Sequence, residues 1–145
     1  MANISTAHAR WEGDLPSGAG SATLASGAGG PMGIDWRART EGAANTTTPE
    51  ELIGAAHASC FSMALANILG DEDHAPDTLE TEARVTFEQT EGGFRISEIL
   101  LRVRGTVPGI TADGFRAAAE KAKEDCPVSR ALSGEIAISV EAELA

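Results

Sequence analysis

From Leu52 to Leu69 the chain runs eighteen residues without a formal charge, LIGAAHASCFSMALANIL. Few folds can hold such a stretch. A helix that is apolar or small on every side is either the core of a protein or a membrane span, and about 18 residues is near the lower limit for spanning. The stretch includes His57, Ser59, Ser62 and Asn67, and acids flank it at Glu50, Glu51, Asp71, Glu72 and Asp73. The basic flank that orients a span is missing, so the segment is expected to be a buried helix. Thr48 suits an N-cap, Pro49 the first helical position, and Glu51 stands where a capping box needs it. One thiol, Cys60, lies in the middle.

The remainder is expected to cover that helix. At 145 residues the chain suits a single domain, residues 1–145, with a core of its own. A net charge of −11 without a basic patch makes nucleic acid and anionic membranes poor partners. Met1–Arg10 lacks the apolar run of a secretory signal. The expected compartment is therefore the reducing cytoplasm, where two cysteines are chemical more often than a permanent staple.

Short glycine-separated segments open the chain, with strands expected over residues 4–11, 21–26 and 32–37. A polar loop follows from Arg39 to Thr47. Leu79–Glu88 alternates strictly and reads as a strand wet on one face, turning at Thr90–Gly93 into a return strand. That strand changes parity after Ile96, which predicts a β-bulge near Ser97 and Glu98. A second helix is expected over Ala112–Asp125 with Thr111 as N-cap. It should stop at Cys126-Pro127, because proline inside a helix costs about 3 kcal/mol. Should Pro127 open a short turn through Leu132, Cys126 becomes its N-cap, where amide donors favour a thiolate. Ile136–Leu144 closes the chain as a strand. The order β-β-β-α-β-β-α-β, rich in hairpins, points to an α+β fold with a largely antiparallel sheet.

Three readings of the cysteines compete. Both could be small buried hydrophobes. His57, Cys60 and Cys126 could share a metal, since His57 and Cys60 stand at i, i+3. Or Cys60 could attack as a thiolate and Cys126 resolve the product. Cys60 lies too deep in its helix for the dipole to assist it, and burial opposes ionisation. A reactive Cys60 therefore needs a cation. Arg39 and Arg37 are the nearest in sequence, and Glu50 is the carboxylate that a buried arginine would seek. A hydrolase using Cys60 and His57 is a further alternative, although one rigid helix gives that pair little freedom.

TPEELIGAAHASCFSMAL and AKEDCPVSRAL, with WEGDLPSGAG at residues 11–20 and VPGI at 107–110, resemble the OsmC/Ohr family, the osmotically inducible and organic-hydroperoxide-resistance proteins. The resemblance implies an intertwined homodimer with its sheets wrapped round two central helices. It implies thiol-dependent reduction of organic hydroperoxides, and less well of hydrogen peroxide, with no metal, haem or flavin cofactor. A dihydrolipoyl protein or a similar dithiol is the implied reductant. By residue, Cys60 matches the peroxidatic cysteine, Cys126 the resolving one and Glu50 the arginine's partner. Arg39-Thr40-Glu41-Gly42 matches the OsmC-type arginine segment, with Arg37 in reserve. At 1.5 Å per residue, Glu50 and Cys60 are about 15 Å apart along one helix, so the Glu50 serving a given Cys60 is expected from the partner subunit. The rival from another class is a non-catalytic dimeric binding module of the same fold.

Overall fold

The computed structural model describes residues 1–145. The chain divides into two compact units, Met1–Leu52 and Ile53–Ala145.

The first unit contains β1 (Ala7–Glu12), β2 (Ala19–Leu24), β3 (Met32–Ile34) and α1 (Trp36–Glu41), and the long helix α2 (Pro49–Asp71) begins in it. β1, β2 and β3 form an antiparallel sheet in that order. Gly18 and Gly20 let the Trp11 ring lie against β2: a Cβ at either would come within about 3 Å of it. The third strand is shorter than the sequence suggests. Asp35 ends it by accepting a hydrogen bond from the Ala38 amide at 2.6 Å, which starts α1 inside what reads as strand and polar loop. An aspartate that can satisfy a free amide outcompetes three residues of weak alternation.

α2 starts as its sequence predicts, with Thr48 Oγ1 accepting from the Glu51 amide at 3.0 Å. The other half of the capping box is absent, because the Glu51 carboxylate instead accepts from the Thr47 hydroxyl at 2.6 Å.

The second unit holds most of α2, then β4 (Thr78–Thr90), β5 (Gly93–Thr106), α3 (Ala112–Asp125), α4 (Pro127–Leu132) and β6 (Ala137–Leu144). β5 is the central strand, antiparallel to β4 and parallel to β6. The architecture is thus α+β with two small sheets rather than one. Three of the four strand pairings are antiparallel; the parallel one is bridged by α3 and α4. The bulge falls where the parity change places it: Thr86 faces Glu98, Phe87 faces Ile96, and Ser97 is left over.

The core of this unit joins Phe61, Leu65, Ile68 and Leu69 of α2 to Ile99, Leu101 and Val103 of β5 and to Phe115, Ala118, Ala119 and Ala122 of α3. Small residues on α3 bring it close to the sheet, and the Phe115 ring tip enters the space left by Gly105. The sheet's other face is wet and charged, with Arg102–Glu141 and Arg104–Glu143 paired across β5 and β6 at 2.8 and 3.7 Å.

The reading of α2 as buried on every side needs correction. Gly54, His57, Phe61, Leu65 and Ile68 form a buried stripe at helical spacing, while Ala55, Ala56, Ser59, Met63 and Asn67 are exposed. By length and composition α2 could cross a membrane, and a third of its most apolar window is buried within the chain.

A Cβ at Gly105 would stand 2.6 Å from the Phe115 ring. Gly105→Ala is expected to destabilise the fold by about 1–3 kcal/mol, read as a lower urea midpoint with an unchanged slope.

Candidate redox site

The two sulfurs, 66 positions apart in sequence, meet in the second unit. Both are reduced; Cys60 is half-buried and Cys126 fully buried. Cys60 packs against the core cluster that contains Cys126, near enough for the ionisation of each thiol to affect the other. Cys60 reaches this point because α2 is rigid and its neighbour Phe61 is fixed in the core. Cys126 reaches it because Pro127 cannot continue α3. α3 ends at Cys126, and α4 begins there with Pro127 at its first position.

The ends of these helices divide the charge unequally. Burial tends to raise the Cys126 thiol. The Ser129 amide, the Cys60 thiol, the Ser129 hydroxyl and the Val128 amide outweigh it, and the group falls below its ordinary value. Cys60 goes the other way. Burial pushes it up, a hydrogen bond from the Val128 amide opposes this in part, and the neighbouring Cys126 raises it further. Proton loss from the pair therefore favours charge on Cys126, with the Cys60 thiol donating to it.

Arg39 and Glu50 lie in the first unit. Nη2 and Nε of Arg39 donate to one Glu50 oxygen at 2.7 and 2.9 Å. The glutamate side chain is 8% exposed and the arginine 31%. The Arg39 guanidinium also lies 6.0 Å from the centre of the Trp36 ring, a range at which a cation is held by the ring face. Arg37, the reserve candidate, is exposed and pairs with Glu41 one turn along α1 at 3.0 Å. Arg39 and Glu50 pair within a single chain, and α1 and Trp36, both unforeseen, position the arginine. The Asp35 cap was the available signal.

His57 does not face Cys60 as a base, nor does it join the sulfurs as a ligand set. Its Nε2 lies 2.7 Å from Ser129 Oγ, both groups buried, and its Nδ1 has no partner. Burial lowers its pKa. Ser129 is the site residue that sequence reasoning missed. It is the third residue after Cys126, where an N-cap meets its amide partners.

The second unit thus holds two reduced cysteines in one core, and the first unit holds a buried arginine–glutamate pair. The family model for OsmC-like protein matches residues 42–141, and the chain belongs to that family. It is 42% identical over 133 residues to peroxiredoxin OsmC of Escherichia coli K12, covering 92% of both chains. It is 33% identical over 97 residues to the organic hydroperoxide resistance protein OhrA of Bacillus subtilis, covering 66% of each. Among solved structures, OhrB of Bacillus subtilis superposes with a TM-score of 0.72 at 26% identity, covering 95% of this chain and 98% of that one.

The unequal settings of the two arginines give a stability test. Arg39→Met strands a buried carboxylate and is expected to cost about 1–3 kcal/mol. Arg37→Met breaks an exposed pair and is expected to cost under about 1 kcal/mol. Urea denaturation of the two variants side by side checks the difference.

Proposed function

We propose that the protein is a cysteine-based peroxidase that reduces organic hydroperoxides, and hydrogen peroxide less well, to alcohols or water. The observation carrying this reading is that two free cysteines 66 positions apart in sequence share one core, near enough to affect each other's ionisation. The names of its relatives, a peroxiredoxin and organic hydroperoxide resistance proteins, support the same chemistry.

In the proposed cycle the Cys60 thiolate attacks the outer peroxide oxygen. The O–O bond breaks, the alkoxide takes a proton and leaves as alcohol, and Cys60 becomes a sulfenic acid. Cys126 attacks that sulfur, the S–O bond breaks, and the departing hydroxide takes a proton to become water. An external dithiol, a dihydrolipoyl protein or a similar molecule, reduces the disulfide by exchange. The cycle assigns Cys60 as peroxidatic, Cys126 as resolving, Arg39 as the thiolate's cation and Glu50 as the group steadying Arg39.

Cys60 ionises poorly among its own chain's neighbours, so the first step depends on that cation. About 15 Å of helix rise separates Glu50 from Cys60. We therefore place the Arg39–Glu50 pair of one copy beside Cys60 of a second, in a homodimer with two shared sites. Two features support the dimer. The outward face of α3 carries Arg116, Glu120, Lys121 and Glu124, whereas the exposed face of α2 has no charge between Glu51 and Asp71. All six residues of β1 are exposed, Trp11 among them. In this assembly residues 1–145 act as one domain, and a cytoplasmic location supplies the reducing conditions the cycle needs.

One equivalent of cumene hydroperoxide should remove two hydrogen atoms and link Cys60 to Cys126 in peptide mass maps. An unmodified chain would favour the binding-module reading instead. Arg39→Met should slow Cys60 oxidation at least about tenfold, since each pKa unit changes the thiolate fraction by about that factor. Mixed dimers of Cys60→Ser and Glu50→Ala chains should regain activity over either parent; no gain contradicts the shared site.

A further inference from the structure

We infer that the buried hydrogen bond between His57 and Ser129 is a positioning link, which ties the helix carrying Cys60 to the helix that follows Cys126 and so holds the two sulfurs ready for disulfide formation. The inference rests on the proposed peroxidase cycle, in which those two cysteines are joined.

The link stands close to both sulfurs along the chain. His57 precedes Cys60 by three residues on α2, and Ser129 follows Cys126 by three in the first turn of α4. At that spacing His57 and Cys60 share a face of their helix. His57 Nε2 and Ser129 Oγ are 2.7 Å apart. His57 is fully buried and Ser129 is 4% exposed. Breaking a buried polar pair is costly, because each group loses its partner. That holds whichever of the two atoms donates.

α4 needs such a link. It has six residues, too few to hold a helix on their own. Cys126 is joined to it through the backbone: the Cys126 carbonyl accepts from the Arg130 amide at 3.0 Å, and the Cys126 amide donates to the Ala122 carbonyl of α3 at 2.9 Å. A rotation of α4 therefore moves Cys126 with it. Arg130 anchors α4 to the end of α3, donating to the Glu124 carbonyl and the Asp125 carboxylate at 3.0 and 3.2 Å. Val128 and Leu132 pack on the core, but apolar contact is non-directional and resists turning or sliding only weakly. His57–Ser129 supplies both a direction and a length. It reaches α4 from α2, which is fixed on the other side of Cys60 by Ser62, bonded to Thr81 of β4 at 2.7 Å.

Closing the disulfide takes two protons and two electrons from the thiols, and an oxidised dithiol that becomes reduced takes them up. Once formed, the S–S bond itself holds α4 against α2. Without the link the reduced chain gains freedom that the oxidised chain does not, and the reduced form is favoured. With the link, that freedom is already gone before the sulfurs react.

Equilibration of the protein with mixtures of reduced and oxidised dithiothreitol tests this, the disulfide fraction being read by mass after alkylation of free thiols. Ser129→Ala and His57→Leu are each expected to lower the equilibrium constant for the Cys60–Cys126 disulfide about tenfold, a rise of about 30 mV in reduction potential. In the double variant the two effects should not add, since the second change finds no bond left to break. A link that only stabilises the fold would lower the urea midpoints of reduced and oxidised chains alike and leave the disulfide equilibrium unmoved. That result overturns the inference, as do additive effects in the double variant. Ser129→Ala carries the test if His57→Leu fails to fold. A parent chain that forms no Cys60–Cys126 disulfide at any ratio of the buffer overturns the peroxidase cycle, and the inference with it.

Discussion

The site depends on one core bringing together two thiols, one from the middle of a long helix and the other from the joint between two helices. Neither sulfur reaches this place through local sequence. Cys60 is held by α2, whose inner stripe of Phe61, Leu65 and Leu69 is locked into the core. Cys126 is held by the break at Pro127, which ends α3 and opens α4. Loosening either helix would separate the sulfurs. A disulfide requires Cα atoms within about 4.4–6.8 Å, so a shift of one helical turn would end the chemistry proposed for them.

Charge is distributed across this contact in a way that suits a two-step reaction. Within one chain Cys126 is the more readily ionised, because Ser129, Cys60 and Val128 lower its pKa against the effect of burial, while burial raises that of Cys60. A cation that arrives with a second copy would reverse that order for the first step. Arg39 suits this role because Glu50 and the Trp36 ring fix its guanidinium before any sulfur meets it. A fixed guanidinium loses little further freedom on engaging a thiolate, and it stays charged when buried. The uncharged outer face of α2 is the kind of surface across which two copies could make that exchange.

Much of this was legible in the sequence, for identifiable reasons. Thr48, Thr111 and Pro127 mark helix ends by chemistry that acts over three residues, and the structure uses each as expected. The bulge at Ser97 followed from a parity change that the pleat of a strand cannot hide. The misses share the opposite character. α1 was read as strand and loop because its six residues are too few to show a period. The parallel pairing of β6 with β5 depends on where α3 and α4 return the chain, which no local pattern encodes. The Arg39–Glu50 pair and the two cysteines that share a core were named from their motifs. Ser129 was not, because its importance comes from His57, 72 positions away in sequence.

The most direct measurement of the central claim is a crystal structure of the protein after reaction with one equivalent of an organic hydroperoxide. The account predicts an S–S bond of about 2.05 Å between Cys60 and Cys126 of the same chain. It also predicts that α2 stays straight and that α4 still begins at Pro127, since both sulfurs already lie in one core when reduced. An unwound α4, a disulfide between copies, or a Cys60 oxidised to sulfinic acid beside a still-reduced Cys126 would contradict it.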